Sequence, residues 1–338
     1  MRKGRTIILD NKVYIGSVYS SVGALEGQGP MGRYFDFVSE DATFGAKSWE
    51  QAENMMVKLT VSGALTKGGL TSDDIDCIFA GDLLNQCTGT SFGLCDFDIP
   101  FYGLYGACST FIEGLSLGSL YVNAGYGQRV VAVASSHFCS SEKQYRYPLE
   151  YGGVRTPTSQ WTVTGSGAAV LHTSGIGVRV SAVTAGRMVN KGVCDANNMG
   201  AAMAPAAADT IAALLKDTDT RPEDYDCIVT GDLADVGSDL LLQLLDGDDI
   251  DISSQHMDCG SMIFDNQVQG TKAGGSGCGC IASVFCGHFM PKLASGEINR
   301  GMFVATGALM SPTTSQLGEP IIGIAHAVVI EGYKGGSV

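Results

Sequence analysis

Apolar residues fall along this chain in two rhythms. Between about 47 and 67 they recur at helical spacing, with Trp49, Ala52, Met56, Leu59 and Gly63 on one stripe, which predicts a helix. Ser109 to Ala124 reads the same way, with Ile112, Leu115 and Leu120 on one face. A third helix is expected over "AMAPAAADTIAALLKD" (202–217), with Pro205 in its first turn. Elsewhere the apolar residues come in short unbroken runs. "CIFAG" (77–81), "RVVAVAS" (129–135), "GAAVLH" (167–172), "VRVSAVTAG" (178–186), "CIVTG" (227–231), "MFVATGA" (302–308) and "HAVVIEG" (326–332) are such runs, and another strand is expected near 13–20. Little alternation within them implies strands covered on both faces, as in α/β proteins.

The order of elements occurs twice. "DIDCIFAGDL" (74–83) and "DYDCIVTGDL" (224–233) agree at seven of ten positions, at an offset of 150 residues. "AGYGQRVVAVA" (124–134) matches "SGEINRGMFVA" (295–305) more loosely, at an offset of 171, which also lays "GAC" (106–108) on "GCG" (277–279). This is one long duplication, not a short solenoid repeat. It divides the chain into halves at 1–174 and 175–338, packed as one compact unit. Gly114 and Gly118, on the helix after Cys108, are expected to let two buried helices approach closely, because glycine inside a helix is otherwise unfavourable.

Charge narrows the function. The formal net charge is -14, so a nucleic-acid binder is not expected. Asp10, Asn11 and Lys12 interrupt the basic start "MRKGRTIILDNKVYIG", which is no signal peptide, and no run of about 18 apolar residues suggests a membrane span. The 11 cysteines then read as cytosolic thiols, mostly small core residues. "CGC" (278–280) lacks CxxC or HxxxH partners, so no metal site is expected.

An ordered set of segments carries a resemblance: "IFAGDLLNQ", "GACST", "QYRYPLEYGG", "TVTGSGAAVL", "MGAAMAPAAADTI", "VTGDLADVGS", "AGGSGCGC" and "VATGALMSPT". With a Cys at the start of a buried helix in a duplicated βαβ frame, the chain resembles the thiolase superfamily. Within it the branch of β-ketoacyl-acyl-carrier-protein synthase III is nearest, and the chain is similar nearly end to end to the stage V sporulation protein AD family. The resemblance implies a thiolase-like α/β fold of five layers, αβαβα, with two duplicated βαβ-type halves, and a homodimer. It also implies binding of dipicolinic acid, with calcium, for uptake into the developing spore. The implied partners are membrane proteins of the uptake system, and the implied place is the cytoplasmic side, peripheral to the inner spore or forespore membrane.

Cys108 tests whether the chemistry of the superfamily survives. A thiol at a helix N-terminus faces backbone N–H groups and the positive dipole end, which favour thiolate. The synthases also need a His and an Asn to donate to developing negative charge. At the His position this chain has Gly231, followed by Asp232, and at the Asn position it has Gly277 or Cys278. Only Cys108 matches, so a non-enzymatic ligand binder without a cofactor is expected. An acyl-transfer enzyme using Cys108 and a scaffold without a ligand site are the competing readings.

For a flat aromatic dianion the required groups are cations or N–H donors and a face to stack on. Arg146, Tyr147 and Arg155 in "EKQYRYPLEYGGVR" (142–155) supply these, although the same residue types suit a dimer contact. Backbone N–H groups of Cys108, Ser109, Gly277 and Gly279 are candidates for anion nests. Of the five histidines, His137, which follows the apolar strand "VVAVASS", and His326, at the start of the strand "AVVIEG", are the two candidate ligand contacts. Asp82 and Asp232, related by the duplication, are expected to be strand-end caps. With Asn85 and Asp235 they are alternatively oxygen ligands for calcium carried by the ligand.

Overall fold

The computed structural model describes residues 1–145, 155–174 and 177–333. The chain runs through β1 (Thr6–Val22), α1 (Trp49–Lys67), β2 (Cys77–Gly81), α2 (Thr88–Leu94), β3 (Phe101–Gly103), α3 (Thr110–Asn123), β4 (Arg129–Ser136), α4 (Phe138–Tyr145) and β5 (Gly165–His172). It continues through β6 (Val178–Thr184), α5 (Met199–Thr218), β7 (Cys227–Thr230), α6 (Ala234–Asp246), β8 (His256–Asp258), α7 (Cys278–Val284), β9 (Arg300–Leu309) and β10 (Ile322–Glu331).

Hydrogen bonding links the strands in the order β8-β7-β9-β10-β6-β1-β5-β4-β2-β3. The order is a palindrome: each strand of β1 to β5 has its counterpart at the mirrored place among β6 to β10. The centre is the antiparallel pair β1 and β6, whose register shifts between Ile8 and Val13. A second shift, between Ile15 and Val18, interrupts the pairing of β1 with β5. Such irregularities bend a sheet, and here the two half-sheets close around α3 and α7. Helix α3 packs against β2 and β4 on one side and against β9 and β10 on the other.

Unbroken apolar strands make this possible. In β4, Val131 and Val133 join Val57 and Val61 of α1 in one core, while Val130, Ala132 and Ala134 join Phe111 and Leu115 of α3 in the central core. In β9, Met302 and Val304 pack with Met203 and Ile211 of α5, and Phe303 and Ala305 face the centre. Two outer cores and a central core that surrounds α3 and α7 thus pack five layers: α1 and α2, a half-sheet, α3 and α7, a half-sheet, then α5 and α6.

Four local expectations change. Strand β1 is 17 residues long, because it resumes beyond the irregularity that holds Asp10 to Lys12. The buried face of α1 carries Ala52, Glu53, Met56, Val57, Thr60, Val61, Ala64 and Leu65, so Leu59 lies off the centre of the stripe. Asn198 caps α5 by accepting from Ala201 N, which starts the helix early and leaves Pro205 in its interior. Gly118 makes its close approach to the sheet, not to a helix: a Cβ there would stand 2.8 Å from Leu171 Cδ1 of β5.

Candidate functional site

The central helices bring two loop ends together. Gly106 to Ser109 makes a tight 3-10 turn into α3, and Ala107 takes the left-handed conformation at φ 50°. Gly277 enters α7 at φ 107°. Cys108 and Gly277 thereby line one cavity, with Ala107, Leu83, Ser276 and Thr162. Ser141, Glu142 and Tyr145 of α4 form one wall; Met199, at the start of α5, and Ala308 and Met310, at the end of β9, close it from the other half. The space open to water is about 50 Å³, room for about three or four molecules.

The thiol at its floor is neutral. Cys108 is 6% exposed. Burial pushes its ionisation far above the ordinary thiol range, and the neighbouring Asp232 pushes it further. Backbone hydrogen bonds from Gly277 and from Cys108 itself favour thiolate and do not offset this. The helix N-terminus therefore loses to desolvation, because almost no water reaches the sulfur.

Among the described residues that line the cavity none is His or Asn. A Cβ at Gly231 would stand 2.8 Å from Ile281 Cβ of α7, so a histidine there has no room without displacing the central helix. A Cβ at Gly277 would meet Ser136 Oγ at 2.7 Å.

Several expected contacts lie elsewhere. His137 is buried beside α1: its Nε2 is 2.8 Å from Ala42 O, its ring stacks on Trp49 at 5.7 Å, and it does not line the cavity. His326 sits within β10, where Nδ1 accepts from Gly186 N at 3.3 Å, and burial lowers its pKa to about 4. Both are structural histidines, held neutral by desolvation. Ser109 N donates to Gly106 O and Gly279 N to Ser136 Oγ, so neither is free for an anion nest. Arg155 lies behind the wall: its guanidinium stands 4.9 Å from the Trp161 ring centroid and 3.6 Å from a Glu142 oxygen. Arg146 and Tyr147 fall outside the described residues.

The acids obey the duplication only in part. Asp82 is a loop cap, accepting from Leu84 N at 2.8 Å and Thr90 N at 2.7 Å. In the second half Asp258 performs this work, accepting from Leu233 N, Ala234 N and Ser261 N. Asp232 is fully buried with only Thr306 N, at 3.4 Å, on one oxygen, so it is not the cap expected. Asn85 is exposed, and Asp235 is held by Ser261 Oγ and Asn266 Nδ2. Among the described residues no three His, Cys, Asp or Glu side chains converge as a metal cluster.

The sequence profile of stage V sporulation protein AD matches residues 3–331. The chain belongs to the stage V sporulation protein AD family. It is 42% identical to the stage V sporulation protein AD of Bacillus subtilis (strain 168) over 335 residues, 98% of each chain. Solved structures place the fold of this family member. It is similar to the 3-oxoacyl-(acyl carrier protein) synthase III of Xanthomonas oryzae, with a TM-score of 0.62 at 12% identity, covering 97% of this chain and 100% of that one. It is also similar to a thiolase from Ascaris suum in complex with coenzyme A, at a TM-score of 0.59 and 12% identity, covering 95% and 100%. The fold is thus thiolase-like and the chain a sporulation protein. None of its described helices is long and apolar enough to cross a membrane.

Sequence reasoning missed most of the wall of this family member's cavity. Leu83, Ser141, Glu142, Tyr145, Met199 and Met310 come from four separate segments, and no spacing links them. One signal was available: Glu53 interrupts an apolar helix face.

Proposed function

We propose that this protein is a non-enzymatic receptor for dipicolinic acid, which it holds at the Cys108 cavity for uptake into the developing spore. The observation that carries the reading is the floor of the cavity, where a buried neutral thiol lies beside Gly277 and none of the described lining residues is the His or Asn that the synthases use. A concave, largely apolar slot with a few polar groups suits a flat ring.

Charge favours the ligand together with calcium. Glu142 lines the cavity with Arg155 3.6 Å from its oxygen, and burial raises the pKa of nearby Asp232, so the wall holds an ion pair and a buried acid lies beneath. The calcium chelate is neutral, and a carboxylate such as Glu142 is a hard oxygen donor to its metal. The ligand exceeds the space of a few waters, so Met199, Met310 and Tyr145 must swing aside; methionines do this readily.

Homodimerisation is part of the proposal. Strand β3 ends the sheet with Phe101 and Tyr102 exposed, beside an open groove that includes Tyr121 and Tyr126. An edge strand with such a face invites pairing with a second copy. Contact with membrane proteins of the uptake system, on the cytoplasmic side of the inner spore or forespore membrane, completes the role.

Titration calorimetry with dipicolinate, with and without calcium, tests the binding. Saturable heat is expected, stronger with calcium; no heat at millimolar ligand contradicts the proposal. The similarity to acyl-transferring enzymes supplies the second reading. Intact-mass analysis after incubation with acyl-coenzyme A decides it: an adduct lost in Cys108→Ala would establish an enzyme.

A further inference from the structure

Glu53 and Asp82 form a buried acid pair that the cavity itself does not contain. Both side chains are 0% exposed. They flank one bare glycine: a Cβ at Gly89 would lie 3.0 Å from Glu53 Cδ and 3.1 Å from Asp82 Cγ. Their partners differ. Asp82 accepts from two backbone N–H groups and from Thr90 Oγ1 at 2.8 Å, fixed donors that favour a carboxylate. Glu53 accepts only from hydroxyls, Ser135 Oγ at 3.1 Å and Ser140 Oγ at 2.8 Å. Hydroxyls rotate to suit either state, so the proton of the pair belongs on Glu53.

Each acid holds one side of the cavity. Ser140 belongs to α4, next to Ser141 and Glu142 of the wall, and Asp82 shapes the turn that presents Leu83. The two sides also meet directly, since Leu83 O accepts from Gln144 Nε2 at 3.0 Å and from Tyr145 Oη at 2.7 Å. We propose that Glu53 is a positioning residue of the binding site: the proton it carries beside Asp82 clamps α4 against the Leu83 loop. Losing that proton places two negative charges in a dry site and parts the two walls.

The groups facing the pair give no cation to neutralise a second charge. Glu50 lies on the same helix, and its partner Lys143 is already bound to it at 2.6 Å. Cys278 of α7 faces both acids, and Tyr105 and Cys87 face Asp82. Burial and the charge of Asp82 together raise the Glu53 pKa.

Hydrogen–deuterium exchange of the free protein between pH 6 and 9, corrected for intrinsic rates, tests the clamp. Peptides covering Phe138–Tyr145 should be protected at low pH, lose protection about tenfold per pH unit as the pH rises toward about 8, and level off above it. Glu53→Gln should abolish that pH dependence while keeping protection, and Ser140→Ala should lower protection at every pH. Protection that is flat in the parent, or a Glu53→Gln profile that falls with it, overturns the inference. A second arm rests on the dipicolinate reading: affinity should fall over the same pH range in the parent and not in Glu53→Gln. A pH-dependent clamp without ligand heat at any pH sinks the dipicolinate reading and leaves the clamp standing.

Discussion

Replacing Glu53 by Gln should flatten the dependence of stability on pH. Burial raises Glu26 to about 7 and Glu53 to about 8, with the Asp82 charge adding to the shift at Glu53. A carboxyl raised in the folded state binds a proton that the unfolded chain releases above its ordinary value. Its contribution is complete below about pH 4.5 and is lost as pH rises through the folded value. Histidines act in the opposite sense: His256 and His326 are lowered to about 4 by burial, so they oppose folding only below their ordinary value near 6.5. Between pH 4.5 and 6.5 the two effects largely offset, and above 6.5 the acids act alone. Each linked proton is worth about 1.4 kcal/mol per pH unit, so Glu53 accounts for ~2 kcal/mol between pH 6.5 and 8 at most. Urea denaturation at both pH values, for parent and Glu53→Gln, measures this. The parent should lose ~2 kcal/mol more than the variant across the interval. Equal losses refute the reasoning.

Other expectations rest on packing. Gly167→Ala places a Cβ 2.0 Å from Ala282 O, where β5 meets α7, and should cost at least about 3 kcal/mol or prevent folding; soluble expression with an unchanged Tm contradicts this. Ala107→Gly relieves a left-handed residue at φ 50° and should stabilise by about 0.5–1 kcal/mol in urea denaturation. If the proposed dimer forms through β3, Tyr102→Asp on that exposed edge strand should shift sedimentation toward monomer without changing the far-ultraviolet spectrum; an unshifted dimer would mean that another surface holds the copies together.

Much of the fold was legible because burial on both faces leaves a plain mark. "CIFAG", "RVVAVAS" and "MFVATGA" contain no charge after their first residue, and each became a strand between two cores. The palindromic strand order matches the repeat that "DIDCIFAGDL" and "DYDCIVTGDL" announce. Less legible was what the repeat does not preserve. Asp82 and Asp232 look equivalent in sequence, yet only Asp82 caps its loop, because Asp258 took that work in the second half. His137 and His326 lie away from the cavity for a similar reason. A strand end is where α/β proteins place ligands, but whether a side chain there points to a cavity or to Ala42 O is decided by tertiary neighbours. Cys108 was recognisable as the floor of the site. Its protonation was not, because desolvation outweighs the helix N-terminus only once the surrounding layers are in place.

A crystal structure of the protein grown with dipicolinate and calcium tests the central claim most directly. The account predicts a planar ligand seated over Cys108 and Gly277, with Met199 and Met310 displaced, Glu142 toward the metal, and no covalent bond to the sulfur. Ligand bound elsewhere, an empty cavity at saturating concentration, or a modified Cys108 would contradict it.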